Sequence, residues 1–155
     1  MQKIIFSTAI AFVFATFSCL VCAEGIGKVK VLNGDVRIER AGKTSSAAIG
    51  APVYQDDRIV TGKDGSVGLL FEDDSRISAG PNSVLALNQF KFDKTTDEGN
   101  FDVSLQKGTL SVISGKLTKK TPGAMKVTTP AAVLAVRGTE FSAKVDEVAD
   151  QEAQK

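Results

Sequence analysis

Apolar and polar residues alternate in short runs along this chain. Val36 and Ile38 alternate with Arg37 and Glu39, and Val67, Leu69 and Phe71 with Gly68 and Leu70, the period of two that half-buried strands produce. No comparable stripe at helical spacing occurs. Turn pairs interrupt the runs about every ten residues: Asn33–Gly34, Ala41–Gly42, Asp64–Gly65, Asp73–Asp74, Gly80–Pro81, Lys107–Gly108, Ser114–Gly115 and Pro122–Gly123. The spacing predicts an all-β single domain. Strands this short bury little by themselves and need neighbours stacked on them, as in a β-sandwich or a β-solenoid.

Two stretches depart from the alternation. Leu85 and Leu87 share one parity and Phe90 and Phe92 the other, so the strand must bulge or turn near Asn88–Gln89 to keep both pairs buried. Beyond it, residues 93–100 are polar with no apolar anchor, which predicts a mobile excursion between strands. Residues 146–155 are polar again and read as a frayed tail or a marginal terminal helix.

Residues 1–23 carry the marks of a secretory signal peptide: Lys3, an apolar run from Ile4 to Leu20, and the small residues Val21 and Ala23 before Glu24. An uncleaved anchor is the alternative, since about twenty apolar residues suffice to span a bilayer. Ser7, Thr8, Thr16 and Ser18 dilute the run, and the small-residue exit favours cleavage after Ala23. Lipoprotein attachment at Cys19 or Cys22 fits less well, because the residues before each lack a Leu-Ala-Gly-like approach. The expected organisation is a signal peptide over 1–23, a β domain over 24–145 and a polar tail over 146–155. The expected location is periplasmic or secreted, with no stable membrane insertion after cleavage.

Composition narrows the chemistry. Both cysteines lie in the leader, so the exported chain would have no disulfide and would rely on packing. Of 19 basic residues one, Lys3, leaves with the leader, balancing the rest against 18 acidic ones; no global field draws the chain to nucleic acid. Histidine is absent, which removes the commonest general base and the usual partner of a serine nucleophile. Ser104 and Lys107 have Ser-x-x-Lys spacing, but residues three apart on a strand point to opposite faces. Asp56–Asp57 and Glu72–Asp73–Asp74 offer calcium ligands or a carboxylate pair; aspartates at turns more commonly bond nearby amides. Lys107, Lys116, Lys119, Lys120 and Lys126 form either a cationic patch or the protection of an edge strand. Tyr54, Phe90, Phe92 and Phe101 are the aromatic residues available for a sugar-stacking platform, against simple packing. No enzyme activity, cofactor or metal site is expected.

The segment from Thr128 to Phe141 is the most specific motif. Pro130 has no amide donor and pushes Thr129 into an extended conformation, predicting a corner. Gly138 supplies the freedom a sharp reversal needs before Thr139 and Phe141. Together with Gly34–Gly42, Asp57–Gly62, Gly65–Phe71, Asp74–Ile77, Pro81–Ser83 and Gly108–Leu110, in that order, the segment resembles the FecR domain, a periplasmic module of ferric-siderophore signalling regulators. The resemblance spans nearly all of the exported chain and favours the solenoid-like stack (β-helix or roll) over the sandwich. It marks Thr129, Pro130, Arg137, Gly138, Thr139 and Phe141 as signature residues with structural roles. An arginine beside a tight turn can tie down exposed carbonyls, the role expected of Arg137, with a ligand or partner contact as the alternative. It implies a non-catalytic binding or scaffold domain contacting an envelope protein partner, with carbohydrate or envelope-polymer binding as the alternative. Regulators of this family add a cytoplasmic part, a membrane span and a docking subdomain. None is expected here, and the chain is expected to act as a free-standing domain.

Overall fold

The computed structural model describes residues 25–137 and 140–146. The expected leader, most of the tail, and Gly138 and Thr139 fall outside them. The described strands are β1 (Gly27–Asn33), β2 (Val36–Arg40), β3 (Lys43–Ser46), β4 (Pro52–Val53), β5 (Arg58–Thr61), β6 (Ser66–Phe71), β7 (Arg76–Ala79), β8 (Val84–Phe92), β9 (Gly99–Ile113), β10 (Met125–Thr128), β11 (Val133–Ala135) and β12 (Glu140–Val145). A single short helix, α1 (Lys116–Lys120), is the only one among the described residues. It follows the break at Ser114–Gly115 and is anchored by buried Leu117.

All twelve strands belong to one continuous, curled and open sheet. Its long strand β9 serves two wings. Gly99–Lys107 pairs with β8, and the same stretch pairs through residues 101–104 with β10, giving the order β3-β2-β5-β8-β9-β10-β11. Gly108–Ile113 pairs with β7 and β12, giving β4-β1-β6-β7-β9-β12. Every pairing is antiparallel except β9–β10. The all-β class is the one expected. The single curled sheet encloses one core cluster, to which both wings contribute.

Alternation places the core. On β6, Val67, Leu69 and Phe71 point inward, and on β2, Val36 and Ile38 do. Phe71 of the second wing meets Phe101 and Phe90 of the first, with ring centroids 4.5 and 5.8 Å away, and Phe90 meets Phe101 edge-on at 4.9 Å. These offset and edge contacts, favourable for ring quadrupoles, clasp the wings together. The parity switch on β8 is the expected bulge: the ladder slips between Leu87 and Gln89, Asn88 turns outward, and Phe90 enters the core. The polar stretch after β8 closes on itself as a turn. Asp93 accepts hydrogen bonds from the Thr95 and Thr96 amides, and its own N–H donates to Glu98 O. The two amide donors hold its carboxyl below the usual carboxylate range.

Strands β7 and β8 continue one another along one edge of β9, separated by Gly80–Ser83. The bend between wings falls here and at Gly108 opposite. Ser83 N–H donates to Thr61 Oγ1 (2.7 Å), Thr61 Oγ1 donates to Gly80 O (2.7 Å), and Thr109 N–H donates to Ser83 Oγ (3.0 Å). Ser83 and Thr61 are buried, so these hydroxyls do for the bent backbone what a regular ladder would have done. Gly108 has φ 93°, and a Cβ there would sit 2.5 Å from Ser83 Cα.

Gly108→Ala therefore combines left-handed strain with a backbone collision and is expected to cost at least about 2 kcal/mol. Gly42→Ala, at φ 76° with nothing within 4 Å of the added carbon, should cost about 1 kcal/mol. Urea unfolding followed by circular dichroism compares them; equal losses would mean the close approach at Ser83 is not what requires glycine.

Candidate functional site

The acidic clusters are occupied by the fold. Asp57, fully buried, accepts a two-pronged bond from Arg40, Nε to Oδ1 at 2.6 Å and Nη2 to Oδ2 at 2.7 Å, and a third from Tyr54 N–H at 2.8 Å. Arg40 also lies over the Tyr54 ring, 4.1 Å from its centroid, a cation–π contact, and its bond to Asp57 raises the guanidinium above its ordinary pKa. Asp73, also buried, accepts Ser75 Oγ–H (2.6 Å) and Ser75 N–H (3.1 Å), while Ser75 Oγ accepts Gly115 N–H (2.9 Å). Burial pushes the Asp73 carboxyl above the usual range, and the Ser75 bonds oppose that. Half-buried Glu72 and exposed Asp74 pair with Lys94 and Lys116 at 3.0 Å each. These are the turn-bonding roles expected of such aspartates. Among the described residues, no group of three acidic side chains is placed to hold a metal.

The aromatic residues follow the same course. Phe101 is fully buried and Phe90 is 8% exposed. Phe92 and Tyr54 are half-buried, Tyr54 with one face under Arg40. No open platform of rings is left by these four.

The signature segment forms a hairpin. Thr129 N–H donates to Ala132 O (2.8 Å), Ala132 N–H donates to Thr129 Oγ1 (3.0 Å), and exposed Pro130 leads the turn from β10 into β11. The corner at Thr129–Pro130 is thus where the sequence puts it. Arg137 is exposed, and Phe141 on β12 is half-buried against the core. Gly138 and Thr139 lie outside the described residues. Of the lysines, Lys116 binds Asp74, Lys119 and Lys120 end α1, and Lys126 sits on β10, an inner strand. Edge protection does not describe that arrangement, because the edge beyond β10 is β11.

Two surface features escape the sequence. Register aligns Val31, Gly68, Ser78, Ser111 and Ser142 into one row across β1, β6, β7, β9 and β12. Their small side chains leave a trough of about 520 Å³ on the outer face of the second wing. The other is β11. Val133 and Leu134 are 65% and 40% exposed, and the entire run from Pro130 to Ala135 is exposed and uncharged. Outward parity was readable for each residue, but the alignment across five strands depends on register, which no single segment encodes.

Asp57→Ala is expected to cost about 2 kcal/mol by leaving Tyr54 N–H and the Arg40 fork without an acceptor, measurable by urea unfolding. Asp73 brings a dependence on pH. Its folded pKa is raised, so its contribution is greatest below the unfolded value of about 3.9 and falls as pH rises towards the folded one. The stability of Asp73→Asn relative to the parent should therefore improve with rising pH over that interval, and a pH-independent difference would contradict the burial effect. Against known proteins, a family model described as FecR protein matches residues 57–154. Among solved structures, one titled "Cell surface anchoring domain" is similar at 27% identity over 39% of this chain and 82% of that one, with a TM-score of 0.38. No curated protein matches. With the family match running from buried Asp57 through the signature hairpin and over more than half of the sequence, the chain belongs to the FecR protein family.

Proposed function

We propose that this chain is a non-catalytic binding module of the cell envelope, exported by its leader to the periplasm, which contacts a protein partner in envelope sensing or signalling. The observation that carries this reading is the placement of the rings: Phe71, Phe90 and Phe101 join the wings. A sugar platform would need them at the surface. Catalysis by a carboxylate pair is disfavoured by the commitment of Asp57 to Arg40 and of Asp73 to Ser75. Family membership supports the envelope setting. We read the curled sheet as a short roll, because β9 runs unbroken from one wing into the other.

The trough lined by Ser66, Ser78, Ser111 and Ser142 favours a second reading, in which hydroxyls and a shallow apolar floor hold an envelope polysaccharide. Capture of the processed chain's partners from envelope extract, with and without glycanase, separates the two. The protein-partner reading expects one protein recovered at equal yield in both arms; loss of recovery after glycanase would overturn it and select the polymer.

A further inference from the structure

Four strands end the two wings, and three of them carry charge or proline. β3 begins with Lys43, β4 is two residues long and starts with Pro52, and β12 carries Glu140 and Lys144. Charge, proline and brevity are the devices that keep sheet edges from pairing. β11, Val133-Leu134-Ala135, is also short, at three residues, but carries neither charge nor proline. Register fixes which of its backbone groups are open. Val136 N–H donates to Met125 O and Thr129 N–H to Ala132 O, so positions 132, 134 and 136 face β10. The antiparallel ladder then leaves N–H and C=O of Val133 and Ala135 directed away from the sheet. Among the described residues, no strand pairs with that side.

Basic residues border this edge, with Asp102 of β9 in register beside one of them, Lys126. Lys126 is the cross-strand neighbour of Ala135, exposed Arg137 follows two residues on, and Gly123, three residues after Lys120, donates its N–H to Val136 O. Among the described residues Lys119, Lys120, Lys126 and Arg137 make no ion pair. A second copy paired edge to edge would bring these cations together, which is unfavourable. An extended strand carrying carboxylates would place opposite charge beside them. We propose that β11 is a strand-addition site: it receives an extended, acidic segment of a protein partner, whose main chain bonds Val133 and Ala135 and whose carboxylates face Lys126 and Arg137. Main-chain bonds supply affinity in this mode and alternate side chains supply selectivity.

The proposal rests on the protein-partner reading, and its test uses purified components so that either can fail alone. The probe is a labelled peptide of about seven residues alternating Glu or Asp with Val, compared with a counterpart bearing Lys in place of the acids. Binding is followed by fluorescence anisotropy and amide exchange by NMR. The acidic peptide should slow exchange at Val133 and Ala135 and weaken with added salt, and the lysine peptide should bind at least about tenfold less tightly. Ala135→Pro removes an outward donor and should weaken binding about tenfold. Lys126→Glu combined with Arg137→Glu, which alters only exposed side chains, should do the same if the proline variant fails to fold. Equal binding of both peptides, or no change in exchange at Val133 and Ala135, would overturn the proposal. So would protection of those amides without peptide, either in a dimer or lost on deleting residues 147–155, which would assign the edge to a second copy or to the chain's own tail.

Discussion

One strand belongs to both halves of this molecule, and the rest of the structure follows from bending it. β9 is fifteen residues long, too long to stay straight over a core this small. A twisted sheet of many strands either curls or splits into layers; here it curls, at the point where Gly108 takes a positive φ against Ser83. The bend interrupts regular pairing, and the chain restores the lost hydrogen bonds with Thr61, Ser83 and the Thr109 amide. Bringing the wings face to face then lets Phe71 meet Phe90 and Phe101, so the aromatic core is a consequence of the bend as well as its reward in buried surface.

Function is shaped by what that construction uses up. The carboxylates that would interest an enzymologist, Asp57 and Asp73, are buried and saturated with donors, one by an arginine fork and the other by a serine. A buried carboxylate without such partners would be costly, so these two tie strands and turns together. What the fold leaves available is surface: a trough of small side chains on one wing and an uncharged edge on the other. Both are features of shape and backbone.

Local features of the fold were readable from residues alone. Alternation identified the inward residues of β2 and β6. The opposed parities of Leu87 and Phe90 required the bulge at Asn88, and Thr129–Pro130 required the corner. Long-range arrangement was not readable. Nothing in the run from Asn100 to Ile113 shows that its two ends serve different wings, since Gly108 looks like an ordinary turn glycine and its role depends on Ser83 across the ladder. Helix α1 was missed because a single turn anchored by Leu117 has no periodicity to detect. The mobile excursion expected after Phe92 is a turn closed by Asp93, whose carboxylate supplies locally the anchor that apolar residues would otherwise provide. At the candidate site, the pairing of Arg40 with Asp57 joins residues seventeen apart, and the open edge of β11 is defined only by the absence of a neighbour among the described residues.

If β9 makes the two wings one cooperative unit, hydrogen exchange on the isolated protein should show it. Amides of Val103 and Leu105 in the first wing and of Leu110 and Val112 in the second should exchange with the same free energy, that of global unfolding. Exchange of one set at a much lower free energy than the other would mean the wings open independently, and would contradict the account.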